Sequence, residues 1–243
     1  MGEAKLYTFS ISPPGNAAKL MLEHKGIAFR EVLVPPGVHP LALHAFGFRG
    51  STVPALKIDG RKVQGSLAIS RALDEIKPDP PLFPADPALR EKVELAERWG
   101  DEFQDLPRIV MRWSLLKHRP SVEWLMRTGW PWAPAPAIGA RLSKPLSAYW
   151  ARRSGATDQR ARDTVAALPA ALDHVDALIA EGVIGGEQPN AADFQIATNV
   201  RACLAAPTLR GAIEGRPCAA WASRLMPEYP GEPMPILLPS DQA

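Results

Sequence analysis

The spacing of apolar residues changes repeatedly between the start of the chain and Pro80, and each change marks an element. Lys5-Leu6-Tyr7-Thr8-Phe9 is a short run of strand-favouring residues. After the turn-forming Ser12-Pro13-Pro14-Gly15-Asn16, residues Ala17, Leu20, Met21 and Leu22 fall at helical spacing, and Gly26 closes that helix. Ile27 to Val34 then alternates as a second strand. Parallel strands joined by a helix need about 30 residues, the length spent between Leu6 and Val34, so the unit is βαβ. An irregular loop through Pro35-Pro36-Gly37 follows.

Pro54-Ala55-Leu56-Lys57-Ile58, a tight Asp59-Gly60 turn and Arg61-Lys62-Val63 predict an antiparallel hairpin. Ser66, a capping residue, precedes Leu67, Ile69, Leu73 and Ile76 in an amphipathic helix that stops before Pro78. The proline-rich stretch Asp79 to Pro84 can continue neither helix nor sheet. We therefore expect an α/β domain over 1–80 (βαβ-ββα), a linker over 81–87 and an all-α domain over 88–243. In that second part Leu89, Val93, Ala96, Trp99, Phe103 and Val110 keep helical spacing, with Pro107 set to kink or break the run. Val165 to Leu178, ended by Gly182, marks another helix, and Asn190-Ala191-Ala192-Asp193 opens a third. Between them, Trp130 to Pro136 is predicted as an extended, proline-rich segment folded over the body.

Composition narrows the classes of function. Hydrophobic residues at 46% and charged residues at 22% are globular proportions, with enough apolar surface to build two cores. Lysine and arginine total 28 against 26 acidic residues, a net +2 that gives no field for nucleic acid or an acidic membrane. A small molecule or a protein is the expected partner. The apolar stretch Trp130–Ile138 is broken by three prolines and is shorter than the ~20 residues of a spanning helix. The N-terminus lacks the serine or threonine of a myristoylation signal and the apolar run of a secretory one, so a cytoplasmic location is expected. Cys203 and Cys218 form no close-spaced pair and read as small buried apolar residues, with a disulfide as the alternative. His24, His39, His44, His118 and His174 show no metal-ligand spacing, so no metal is predicted.

Leu6-Tyr7 leading into Ser12-Pro13-Pro14, Val53-Pro54-Ala55-Leu56, Ser66-Leu67-Ala68-Ile69, Asn190-Ala191-Ala192-Asp193 and Arg216-Pro217 before Trp221 resemble, in that order, the glutathione transferase superfamily. The resemblance runs over nearly the whole chain. It implies a thioredoxin-like N-terminal domain that holds glutathione, or another low-molecular-weight thiol, as co-substrate. It also implies an all-helical domain contributing a hydrophobic pocket, and commonly a homodimer. Val53-Pro54 would be cis, leaving the backbone before the proline free to clasp a peptide ligand; cis costs only ~0.5 to 1 kcal/mol before proline against ~2.5 to 4 elsewhere. Ser12 stands where serine-type members carry the hydroxyl that donates to the thiolate and lowers the thiol pKa, helped by the helix N-terminus. Its alternative is an ordinary N-cap followed by proline. Ser10 is the reserve candidate on the same side of the strand, and Tyr7 sits too early and reads as core.

Ser66 resembles the serine that receives the γ-glutamyl carboxylate at a helix start. The pattern departs at Gly65, where the family usually has glutamate or glutamine, with Gln64 one position earlier as partial compensation. Asn190 and Asp193 resemble the family's capping box, a structural feature worth about 0.5 to 2 kcal/mol. For the apolar substrate, Phe103, Met111, Trp113, Trp130 and Trp132 are the candidate lining residues, with ordinary core packing as the competing role. The resemblance thus implies an enzyme that activates a thiol for attack on an electrophilic organic compound. Conjugation, isomerisation, dehalogenation and peroxide reduction are all open to it. The alternative is a non-enzymatic binding or assembly module on the same scaffold, to which Gly65 points.

Overall fold

A computed structural model describes residues 4–129 and 144–239. The N-terminal part runs β1 (Ala4–Thr8), α1 (Pro13–His24), β2 (Phe29–Leu33), α2 (His39–Ala45), β3 (Ala55–Ile58), β4 (Arg61–Gln64) and α3 (Ser66–Ile76). Its four-stranded sheet has the order β2-β1-β3-β4. β1 lies parallel to β2, with Leu6 beside Glu31, and antiparallel to β3, with Leu6 opposite Leu56. The two-residue period of β1 splits the core. Ala4 and Leu6 pack with Met21, Leu22, Ile69 and Leu73 of α1 and α3, while Tyr7 faces the other way onto Leu43, Phe48 and Ala55. Asp59 (φ 46°) and Gly60 (φ 77°) form the tight turn between β3 and β4.

The helical part follows as α4 (Pro87–Phe103), α5 (Asp105–Lys117), α6 (Arg119–Gly129), α7 (Lys144–Arg153), α8 (Asp158–Ala180), α9 (Ala191–Leu204), α10 (Pro207–Arg210) and α11 (Pro217–Leu225). α9 is its axis: all 14 of its residues are buried, and it packs against α4, α11 and α1. Its start is held by a reciprocal cap, Asn190 accepting from the Asp193 amide and Asp193 from the Asn190 amide, as the motif predicted. Trp221 Nε1 and the Gly185 amide also donate to Asp193.

Two ion pairs, each with one fully buried member, tie these elements together. Lys25, with no exposed surface, donates to Asp74 Oδ1 (2.6 Å) and to the Lys77 carbonyl (2.7 Å), locking the end of α1 to the segment leaving α3. Glu97 of α4 is fully buried and accepts from Ser70 Oγ (2.6 Å) and from Arg71, both on α3. Removing one partner of such a pair strands the other charge, at a cost of about 3–5 kcal/mol.

The break expected near Pro107 falls at Gln104, between α4 and α5, and Pro107 is accepted in the first turn of α5, where no helical amide is required. Two differences from the sequence expectation have local causes. α2 replaces part of the expected loop, its seven residues being too short to show a period. Ser66 is the first residue of α3 and Gly65 is its cap, with no side-chain capping bond. Cys203 and Cys218 are buried free thiols, and burial pushes both pKa values up to about 12. Trp130 to Pro136 lie outside the described residues. No described helix is long and apolar enough to cross a membrane.

Candidate active site

A cavity of about 440 Å³ opens between the α/β and helical parts, with Ser12 in its wall. Ser12 is the N-cap of α1: its backbone is extended (φ −79°, ψ 115°), its Oγ accepts from the Gly15 amide (3.2 Å), and Pro13 and Pro14 open the helix. Accepting that bond leaves the hydroxyl proton free to be donated into the cavity. Glycine leaves room at this turn, since a Cβ at position 15 would stand 1.9 Å from Thr8 Oγ1 and force that side chain to shift. The segment before Ser12 is held from three directions. Asn16 Nδ2 donates to the Ser10 carbonyl (3.1 Å), Ser10 Oγ donates to the Thr128 carbonyl (3.0 Å), and the buried Tyr229 hydroxyl donates to the Ile11 carbonyl (2.8 Å). Burial raises the Tyr229 pKa, which keeps that hydroxyl a donor.

Beside Ser12 the wall is made of Thr52, Val53, Pro54, Gly65 and Ser66. The Val53-Pro54 bond is cis, and the Pro54 carbonyl accepts from the Gly65 amide (2.9 Å), joining the start of β3 to the start of α3. Gly65 has φ 91° and ψ 142°, a conformation that side-chain-bearing residues rarely adopt, so the backbone accounts for glycine here. Ser66 is 2% exposed, and its buried Oγ has no hydrogen-bond partner. A buried hydroxyl without a partner at the first turn of a helix fits an anionic group from a ligand.

The rest of the lining is mixed. Pro36, Met111, Leu115, Leu125, Met126 and Ile236 are apolar; Phe9, His39 and Trp150 add aromatic faces; Asp101, Gln104, Arg108 and Arg112 form a polar edge along α4 and α5. His39 stacks on Trp150 (5.2 Å, 28°) and meets Phe9 edge-on (4.9 Å, 89°). Burial, aided by Arg112, pulls the His39 pKa down to about 4, so the imidazole is neutral at neutral pH. Burial, aided by Arg108, lowers the Arg112 pKa to about 10, and burial raises that of Asp101.

Of the residues singled out from the sequence, Ser12, Val53, Pro54, Ser66 and Met111 share this cavity. Four others are placed elsewhere. The Ser10 hydroxyl is engaged with Thr128. The Gln64 amide braces the loop before Pro54, accepting from the Gly50 amide (2.9 Å) and donating to the Thr52 carbonyl (2.8 Å). Phe103 stacks on Trp99 in the core, and buried Trp113 donates to Asp158 Oδ1 (2.7 Å). Trp130 and Trp132 lie outside the described residues. Sequence reasoning missed Phe9, His39, Arg108, Arg112, Trp150 and Tyr229. Arg108 and Arg112 do carry a signal, standing one helical turn apart beside Met111, but a polar stripe on a helix ordinarily marks solvent.

The fold, a four-stranded mixed sheet with helices followed by a helical part, is similar to that of solved glutathione transferase structures. Residues 6–81 match the family described as glutathione S-transferase, N-terminal domain. Protein LigF of Sphingobium sp. is 35% identical over 106 residues, a match covering 41% of this chain and 40% of that protein's length. The crystal structure of beta-etherase LigF from Sphingobium superposes with a TM-score of 0.55 at 17% identity, over 91% of this chain and 98% of that one. A glutathione S-transferase from Rhodospirillum rubrum gives a TM-score of 0.59 at 19% identity, over 97% and 96% of the two chains. A glutathione transferase family member from Pseudomonas fluorescens, solved with bound glutathione, gives 0.55 at 18%, over 93% and 95%.

Proposed function

We propose that the protein is a glutathione transferase-like enzyme that activates a small thiol, glutathione in the first instance, for attack on an electrophilic organic compound. The observation that carries this reading is the meeting of Ser12, Val53-Pro54 and the unpartnered Ser66 hydroxyl on one wall of a cavity whose other wall is largely apolar and aromatic. Ser12 donates its hydroxyl proton to the thiolate and, with the α1 N-terminus, favours the charged form. Ser66 and the free amides of α3 take the γ-glutamyl carboxylate. Val53 offers its backbone to the peptide-like middle of the thiol. The opposite wall holds the electrophile next to the sulfur, so that proximity supplies much of the rate. The thiol binds with no side chain at position 65 to meet its ammonium group.

The likeness to LigF supports displacement at an ether carbon as one reaction within this class. There a carbon–sulfur bond forms, the carbon–oxygen bond breaks and the oxygen leaves with the electron pair. The family likeness also supports a homodimer acting in the cytoplasm in detoxification, and light scattering on the purified chain tests the assembly.

Gly65 favours a second reading, a binding or assembly module that has given up thiol chemistry. Retention on immobilised glutathione together with conjugation of chlorodinitrobenzene supports the enzyme. A folded protein that binds no low-molecular-weight thiol overturns it in favour of the module.

A further inference from the structure

Away from Ser12 and Ser66, the cavity holds a cation with no acidic partner among the described residues. Among the described residues Arg112 makes no ion pair, whereas Arg108, one turn earlier on α5, is paired with Asp105 and lies close to Asp101. The Arg112 guanidinium instead stands 5.7 Å from the centroid of the Trp150 ring, and the charge of Arg108 disfavours its protonated form further. Arg112 is half-buried, and a partly desolvated cation without a counter-charge carries a cost that a ligand anion relieves.

The groups around it specify the rest of the ligand. Trp150, His39 and Phe9 form a continuous run of ring contacts along the cavity wall. His39 is 8% exposed and its buried Nδ1 has no hydrogen-bond partner. Held neutral, the imidazole adds no second positive charge and presents a flat face with an unused polar atom. Such a surface takes an aryl ring, and the guanidinium takes a planar anion attached to it.

We propose, resting on the thiol-transferase reading above, that this half of the cavity selects aromatic electrophiles carrying an anionic group such as a carboxylate, which pairs with Arg112 while Trp150, His39 and Phe9 flank the ring. The matched probes are chlorodinitrobenzoate and its neutral amide, chlorodinitrobenzamide, with the halogen-free dinitrobenzoate and dinitrobenzamide for binding without reaction.

Calorimetry on the full chain without thiol is expected to show the benzoate bound about tenfold more tightly than the amide, the scale of a hydrogen bond to a charged group. Arg112→Met is expected to erase that preference and Arg112→Lys to keep part of it, and the kcat/KM ratio of the two chlorinated probes moves in parallel. Equal affinities in the unmodified protein, a comparison that needs no variant to fold, overturn the proposal. So does a preference that survives Arg112→Met. Conjugation of both probes without an acid preference sinks this inference and leaves the transferase reading standing. An acid preference in a protein that binds no thiol sinks that reading and leaves the anion site standing.

Discussion

Replacing Ser12 with alanine separates the two jobs that its hydroxyl performs. The oxygen accepts from the Gly15 amide at 3.2 Å and caps α1, while the proton is available to the cavity. A hydrogen bond to a charged group is worth about 1.5–3 kcal/mol. At about 1.4 kcal/mol per pKa unit, its loss raises the bound thiol's pKa by roughly one to two units. Below that pKa the thiolate fraction, and with it kcat/KM, falls about 10- to 100-fold in Ser12→Ala, and activity recovers as the pH is raised. Loss of the cap is a separate effect of about 0.5–2 kcal/mol on stability. Ser12→Asp distinguishes the two, because it keeps an acceptor for the Gly15 amide but brings no proton: the melting temperature holds while turnover is lost. The assays are kcat/KM against pH and the ultraviolet absorbance of the bound thiolate. An acidic limb at the same pH in Ser12→Ala and the unmodified protein refutes the reasoning.

Further predictions concern the scaffold under that site. Tyr229→Phe leaves the Ile11 carbonyl buried without the donor that now stands 2.8 Å away. The cost is about 1–3 kcal/mol in urea unfolding, and kcat/KM falls as the loop before Ser12 loosens; unchanged values for both would remove Tyr229 from any positioning role. Gly15→Ala drives a Cβ to within 1.9 Å of Thr8 Oγ1, which overpacking places at about 1–3 kcal/mol of lost stability; a variant with the parent's unfolding midpoint would show that the turn relaxes freely. His39, whose folded pKa is pulled from 6.5 down to about 4, contributes stability that is complete above pH 6.5 and lost as pH falls through 4. The gap corresponds to about 3 kcal/mol. His39→Gln removes that contribution, so urea titrations of the variant lose less stability between neutral pH and pH 4 than the parent does; parallel losses would contradict a buried neutral imidazole.

The α/β half was readable because its signals are local. The alternation around Leu6 and Tyr7, the Asp59-Gly60 turn and the punctuation at Gly26 and Pro78 each act within a few residues, and each element they marked is present. α6 and α7 were not legible. Leu125, Met126 and Trp150 take their meaning from the partners they meet across the molecule, while α7 carries three basic residues in ten and little apolar period. Gly65 needed the coordinates as well: the letter shows a missing side chain, whereas φ 91° shows why the chain requires glycine there.

The same contrast divides the cavity. The thiol-facing wall is written in short contiguous pieces at the ends of elements, Ser12-Pro13, Val53-Pro54 and Gly65-Ser66, because backbone amides and small hydroxyls near helix starts are what a peptide-like thiol requires. The rest of the lining is assembled from α2, the consecutive helices α5 and α6, α7 and the stretch around Met234, pieces that span most of the chain. Its specificity depends on which side chains converge. Arg112 illustrates the point: on the helix surface it reads as one more solvated arginine, and only the approach of Trp150 from α7 and His39 from α2 turns it into a half-buried cation beside an aromatic wall. A thiol site fixed by local backbone chemistry and an electrophile site fixed by long-range packing can therefore change independently, since substitutions on α5 or α7 alter what is attacked without touching the groups that hold the attacking sulfur.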